Sequence, residues 1–374
     1  MKVALVHDFL REYGGAERVL EVLHEMFPEA PVFTAYYYPK GLGTHNERIK
    51  QWDIQTSWMQ KLPWGNKLIS PLRVLAPAAF ESFDLTSYDL IISSSSTYFA
   101  NAVITTPEAL HINYIHTPPR YLYGYATSYN YKKHWWTRVL GETANHFLRL
   151  WDFQISQRPD ILIANSENIA KRIKKFYRRD CVVIYPPIDV EKLRKQSEKA
   201  EAGSQKPDSY FLSLGRLVRG KGTEVIVEAC TKLNLPLKVV GSGPELQRLK
   251  GIAGKNIEFL GSIEDEMIPE ILAGAKATIV ASEDEDFGIV PVESMACGTP
   301  VIAVRAGGFL ETVVPGKTGE FFEEVTVDSL MKVLKTFNPE KYQPENCQKQ
   351  AERFGKERFK KEILKLIEKN TNKF

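Results

Sequence analysis

The chain has 374 residues, 43% of them hydrophobic and 25% charged, with 24 glycines and 21 prolines, which excludes disordered, collagen-like and small disulfide-stapled classes and is enough for two domains. Forty-nine basic against 46 acidic residues leave a net charge of only +3, too little for a protein that coats duplex nucleic acid, although the stretch from Asn101 to Tyr185 carries 12 basic against 6 acidic residues. Cys181, Cys230, Cys297 and Cys347 stand far apart, with no Cys-x-x-Cys pair and no His at metal spacing, so neither a zinc site nor a disulfide framework is indicated and a reducing, cytoplasmic setting is expected.

Lys2 to Val6 is a short apolar run that meets His7-Asp8 too soon for a signal-peptide core. Gly14-Gly15 then opens a helical pattern through Val19, Leu20, Val22, Leu23 and Phe27. The same strand, loop and helix rhythm returns at Leu90 to Ser93, which ends in a serine run, at His111 to Ile115, which ends at His116, and at Ile161 to Ala164 before a basic helix. Short buried strands alternating with helices predict a parallel α/β sheet. After Tyr185-Pro186-Pro187, the stretch Glu191 to Ser209 is rich in Lys, Glu, Ser and Gly and reads as the interdomain connection. A second series has strands at Tyr210 to Leu214, Leu237 to Val240, Ile257 to Leu260, Ala277 to Ala281 and Val301 to Val304. Glu357 to Lys369 spaces Phe359, Ile363, Leu364, Leu366 and Ile367 as an amphipathic helix that needs a surface to cover. The expected domains are 1–187 and 188–354, with helix 355–374 returning to the first. No run approaches the roughly 18 apolar residues of a membrane span, so any membrane contact is expected to be peripheral.

Four motifs carry chemistry. Glu285 lies in a loop after a strand, and Glu293 follows on a helix beginning near Pro291; two carboxylates at one strand-to-helix crevice suit different parts of a polyhydroxylated ligand. Arg216 and Lys221 flank a loop that leads into a helix near Thr223, and two cations beside a helix amino terminus make an anion site suited to a diphosphate. Gly14 and Gly15 form the corresponding loop of the first half, where backbone amides approach a phosphate. His116-Thr117-Pro118-Pro119-Arg120-Tyr121 starts at a strand end, with prolines fixing the loop. Gly241-Ser242-Gly243-Pro244-Glu245 reads either as a further approach to a nucleotide or as a turn with Pro at the first helical position, and Arg219 reads as surface.

The frame Glu-x-Phe-Gly-x-x-Pro-x-Glu from Glu285 to Glu293, backed by Cys297-Gly298-Thr299-Pro300, resembles that of retaining GT-B glycosyltransferases of family 4, and the resemblance extends over nearly the whole chain. It implies an α/β protein of GT-B fold, two doubly wound Rossmann-like domains facing across a cleft. The nucleotide sugar is then expected mainly in the second domain and an acceptor hydroxyl in the first. It implies that Glu285 contacts donor-sugar hydroxyls within a donor-binding frame that includes Phe287, Gly288 and Ile289. Glu293 would hold the ribose, and Arg216 and Lys221 would stabilise the departing diphosphate. Asp286 departs from the commoner Pro or small residue. The phrase His-Thr-Pro-Pro-Arg-Tyr is similar to that of bacterial mannosyltransferases of O-antigen and lipopolysaccharide assembly, in which the histidine lies beside the donor sugar and phosphate, and it is the reason for expecting GDP-mannose.

The tract that includes Tyr121, Tyr123, Lys132, Lys133, Trp135 and Trp136 reads as a sugar-stacking acceptor surface, an anionic-membrane contact, or a packed loop with solvated lysines. Asp284-Glu285-Asp286 spells a divalent-cation signature, but the frame assigns Glu285 to the sugar and two cations supply the charge a metal would bring, so no metal or other cofactor is expected. The expected partners are GDP-mannose and a glycan acceptor, lipid-linked at the inner membrane face, with no nucleic acid. The rival readings are a glucosyl- or galactosyltransferase using a UDP-sugar, and a noncatalytic protein that binds nucleotide sugars.

Overall fold

The computed structural model describes residues 1–62, 69–125, 135–203 and 210–371. The chain forms two compact units, Met1–Pro187 with Phe359–Phe374, and Ile188–Arg358. The first is built on β1 (Val3–His7), β2 (Val32–Thr34), β3 (Ile54–Thr56), β4 (Leu90–Ser95), β5 (Leu110–Ile115), β6 (Ile161–Ala164) and β7 (Val182–Val183). These lie in the order β3-β2-β1-β4-β5-β6-β7, every pairing parallel. The order reverses between β1 and β4, and a doubly wound sheet binds ligands at the strand carboxyl ends beside such a reversal.

Strands β4 and β5 are buried at every position, as central strands covered by helices on both faces must be. The apolar run stops at Ser93, yet β4 continues to Ser95. Ser93 and Ser95 donate to Asn113 Oδ1 on β5 at 3.1 and 2.9 Å, so the buried hydroxyls are satisfied and the strand continues. Strands β2, β3 and β7 did not emerge from the sequence pattern, because two or three residues carry too little periodicity.

The second unit contains β8 (Tyr210–Leu214), β9 (Leu237–Val240), β10 (Ile257–Gly261), β11 (Ala275–Val280), β12 (Val301–Val304) and β13 (Gly319–Phe322). The order is β10-β9-β8-β11-β12-β13, again wholly parallel, with its reversal between β8 and β11. The stretch read as a connection is corrected here: Val190–Gly203 is a helix of this unit. Val190 and Ser197 are buried and Leu193 packs beside Tyr210, Leu212 and Leu272, while Glu191–Lys195 and Arg194–Glu198 pair along the outer face. A helix with so few apolar residues looks like a linker until its one buried stripe finds its partners.

The helix Lys356–Thr371 places Phe359, Ile363 and Ile367, four residues apart, in the core of the first unit with Leu5, Tyr114 and Ile184. Phe359 meets the Tyr114 ring edge to face at 5.8 Å, and Lys360 pairs with Glu25 at 3.3 Å. Phe359→Ala should cost about 3–5 kcal/mol in denaturant unfolding of the whole chain, as expected for emptying a fully buried aromatic site, whereas Leu364→Ala on the exposed face should cost under about 1 kcal/mol.

Candidate functional site

At the reversal of the second sheet, the chain leaves β8 through Gly215 and Arg216 and enters the helix Thr223–Lys232 directly after Lys221 and Gly222. Gly222 sits at φ 68°, where a Cβ would collide with the carbonyl and side chain of Ala281, just beyond β11. Glycine is therefore required for the two loops to touch backbone to backbone. Gly241 and Gly243 serve the same purpose on the other side. Their missing side chains leave room for the carbonyls of Gly215 and Leu217, and Leu217 N donates to Ser242 O at 2.8 Å. The Gly241-Ser242-Gly243 segment thus braces the Arg216 loop.

Lys221 Nζ lies 2.7 Å from Glu285 Oε2, and both side chains are partly buried. The Glu285 backbone is fixed from behind: Gly308 N donates to its carbonyl at 2.9 Å, and Gly307, at φ 54°, packs against the same backbone. An ammonium suited to a phosphate and a carboxylate suited to sugar hydroxyls are thus side by side beside a helix amino terminus whose dipole favours anions. Arg216 is exposed on the same loop, and Arg219 pairs with Glu245 at 3.3 Å on the surface. Gly288, at φ 91°, caps the helix Ile289–Ala296, which carries Glu293 with only 6% of its surface exposed. The side chain of Phe287, expected within the donor-binding frame, is buried edge to face against Phe354 at 5.3 Å.

In the first unit, β1 ends in His7 and is followed by Asp8, both buried. Asp8 accepts from the amides of Ser96, Thr97, Tyr98 and Ala100 and from Ser96 Oγ, at 2.7–3.0 Å, tying the end of β1 to the loop after β4. Gly14 caps the helix Gly15–Met26, but its N–H is taken by Glu17 Oε2 at 2.9 Å. Gly14 therefore does not offer that amide to a phosphate.

His116 follows β5, where its amide donates to Ser95 O and its carbonyl accepts from Asn165 Nδ2, both at 2.9 Å. Its Nε2 lies 2.8 Å from Ser94 Oγ, which in turn lies 3.1 Å from His7 Nδ1. Burial first, and His7 second, push the His116 pKa down to about 3, so the imidazole is neutral at ordinary pH. Sequence reasoning found His116 but passed over His7, Asp8, Glu17 and Ser94. The available signal was the placement of polar residues at the carboxyl ends of otherwise apolar strands.

Within the aromatic tract, Tyr121 and Tyr123 are packed against neighbouring side chains. Tyr121 lies under the Arg73 guanidinium at 4.1 Å, and Tyr123 stacks on Phe176 at 4.0 Å and donates to Asp152 Oδ2 at 2.7 Å. Tyr177 also donates to Asp152, at 3.2 Å, and burial pushes the Asp152 carboxyl up to about 7 despite these two bonds. Tyr123 thus ties the loop after His116 to the helix Trp135–Ile155, while Tyr121 packs under Arg73. Lys132 and Lys133 lie outside the described residues, and Trp135 and Trp136 begin that helix.

Residues 13–192 match the family described as Glycosyltransferase Family 4, and residues 194–354 match Glycosyl transferases group 1, so that together they span nearly the whole chain. The chain belongs to the family 4, group 1 glycosyltransferases. Among the curated relatives of this family, an uncharacterized glycosyltransferase of Methanocaldococcus jannaschii is 27% identical over 56% of this chain and 59% of its own length. A D-inositol 3-phosphate glycosyltransferase of Corynebacterium urealyticum is 27% identical over 58% of each chain. The match thus spans under three-fifths of these relatives' length. The crystal structure of Anabaena HepE in complex with UDP and glucose is 20% identical, covers 98% of this chain and 99% of its own, and superposes with a TM-score of 0.71, which establishes the GT-B fold.

The Asp152 carboxyl makes a testable contribution to stability. The unfolded chain releases this proton near the ordinary aspartate value, while the folded protein holds it to about 7. The folded state binds more protons through that window, so this group lowers stability as pH rises from about 4 to about 7. Asp152→Asn should therefore show a flatter thermal midpoint over that range than the parent protein, measured by circular dichroism.

Proposed function

We propose that the chain transfers a hexose from a nucleotide sugar to a hydroxyl of a glycan acceptor with retention of anomeric configuration. The observation that carries this reading is the cluster at the reversal of the second sheet, where Lys221, Glu285 and the start of the Thr223–Lys232 helix come together beside Arg216. Departure of a nucleoside diphosphate breaks the bond from the anomeric carbon to the phosphate oxygen, building negative charge on the leaving oxygens while the sugar becomes oxocarbenium-like. Arg216, Lys221 and the helix amides oppose the first charge. Lys221 is shared between the diphosphate and Glu285, which holds the sugar hydroxyls, and Glu293 holds the ribose. The acceptor oxygen attacks from the face the diphosphate leaves, and the departing phosphate takes its proton, so no enzyme nucleophile or metal is required.

GDP-mannose is the preferred donor, on the His-Thr-Pro-Pro-Arg-Tyr phrase beginning at His116. A UDP-sugar is the second reading, favoured by the fold likeness to HepE, whose structure holds UDP and glucose. Purified protein with the acceptor extract of its host and 1:1 GDP-mannose and UDP-glucose, in the presence of a chelator, should release GDP and form mannosylated product. Release of UDP alone would select the second reading, and consumption of neither donor would leave a binding protein. Lys221→Ala should lower turnover by about 100-fold or more with the fold intact, and near-normal rates would remove the leaving-group assignment.

A lipid-linked acceptor and a peripheral membrane contact fit the surface of the first unit. No helix among the described residues is long and apolar enough to cross a membrane. The helix Trp135–Ile155 instead exposes Val139, Phe147, Leu150, Trp151 and Phe153, each by more than 40%. Arg138 on the same helix and Lys171, Lys175 and Arg178 on the following one are also exposed, a combination suited to an anionic headgroup layer. The protein should float with vesicles containing anionic phosphatidylglycerol and not with purely zwitterionic ones. The double substitution Leu150→Glu, Trp151→Glu should weaken that binding by about tenfold or more, and equal flotation of parent and variant would remove this face from the contact.

A further inference from the structure

Four side chains of the first unit form one hydrogen-bonded line. Glu17 Oε2 accepts from Gly14 N at 2.9 Å, Glu17 Oε1 lies 3.3 Å from His7 Nε2, His7 Nδ1 lies 3.1 Å from Ser94 Oγ, and Ser94 Oγ lies 2.8 Å from His116 Nε2. His7, Glu17 and Ser94 are each over 90% buried, so water does not substitute for a missing partner. Among the described residues His116 Nδ1 has no hydrogen-bond partner, and the residue is only partly buried.

The donors and acceptors along this line can be assigned in turn. A Glu17 carboxylate has no proton to give, so His7 carries its proton on Nε2 and donates it. With one proton on the His7 ring, Nδ1 keeps only a lone pair, and Ser94 must donate its single hydroxyl proton to it. Ser94 has nothing left to donate, so its remaining lone pair accepts from His116, which must carry its proton on Nε2. The neutral His116 ring is left with a lone pair on Nδ1 and no proton there.

Building on the reading of this chain as a nucleotide-sugar enzyme, we propose that Glu17, His7 and Ser94 are positioning residues that lock His116 as the Nε2–H tautomer. Its Nδ1 then acts as a hydrogen-bond acceptor for a sugar hydroxyl and is unable to donate to a phosphate oxygen. The consequence is chemical selectivity: a lone pair rewards an O–H group and repels an anionic oxygen, so the line of four groups decides which part of the donor the ring accepts.

One substitution should reverse the line from its far end. In Glu17→Gln the Gly14 N–H still requires an acceptor at the Oε2 position, which turns the amide NH2 toward His7 Nε2. His7 must then accept there and donate from Nδ1, Ser94 must accept from His7 and donate to His116 Nε2, and His116 must move its proton to Nδ1. The test is long-range 15N–1H NMR of histidine-labelled, donor-free protein at pH 8, above the ordinary imidazole range, with His116 assigned among the seven histidines by His116→Gln. The parent protein should show Nε2 as the protonated nitrogen of His116, and Glu17→Gln should show Nδ1. Ser94→Ala, which interrupts the line and leaves both ends in place, should give a mixture of tautomers.

A His116 protonated on Nδ1 in the parent, an unchanged tautomer in Glu17→Gln, or a fully retained one in Ser94→Ala would each overturn the proposal. Loss of turnover in Glu17→Gln without a tautomer change would mean a purely structural role and would likewise overturn it. These readings need no donor, so they are independent of whether the proposed transfer occurs. Adding GDP-mannose or UDP-glucose then tests the last step. A shift of the His116 Nδ1 resonance toward that of a hydrogen-bonded acceptor supports the hydroxyl assignment, and an unmoved resonance with a saturating, consumed donor overturns it.

Discussion

The Lys221–Glu285 pair depends on backbone segments approaching more closely than side chains allow. The loop after β8 reaches the end of β11 because Gly222 has no Cβ to meet Ala281, and the Glu285 loop is held by Gly307 and Gly308 from the next crossover. With these glycines in place, an ammonium and a carboxylate that lie 64 positions apart in sequence come within 2.7 Å. Both lie at the edge where parallel strands end and a helix begins. Pairing in the absence of a ligand keeps the two partly buried charges neutralised.

The first unit solves a different problem with the same topology. Its strand ends carry neutral or satisfied polar groups: Asp8 is consumed by four amides and a hydroxyl, and His116 is held neutral by burial. Asp8 sets the loop after β4, Asp152 with its two tyrosines sets the loop after β5, and His116 stands between them in the chain. The loop cations Arg216 and Lys221 belong to the second unit, while the strand ends of the first unit carry directional hydrogen-bonding groups.

Much of this was legible from residue order. The strands of Leu5, Ile112 and Ile279 announce themselves as apolar runs, and Arg216, Lys221, Glu285 and Glu293 stand out because each follows such a run at a fixed distance. Readings went astray where composition and environment disagree. Glu191 to Ser209 looked like a linker, yet three inward positions make most of it a helix. For Tyr121 and Tyr123 the sequence left an outward surface and a packed loop both open, and Arg73 and the buried Asp152 hold them packed. The apolar surface lies instead on the helix 135–155, whose sequence gives no sign of which face is covered.

By itself the sequence determined the parallel α/β alternation, the position of the loops that follow each strand, and the types of group those loops carry, because periodicity and spacing are properties of neighbouring residues. Tertiary structure alone decided that Lys221 meets Glu285 and that Glu17 reaches His116 through His7 and Ser94. Those outcomes depend on bringing together residues 64 and 87 positions apart, Lys221 with Glu285 and His7 with Ser94, the latter through the register of β1 with β4. They also depend on which polar groups lose their water. Neither register nor desolvation is written in the local order of residues; both arise only when the sheet closes around them.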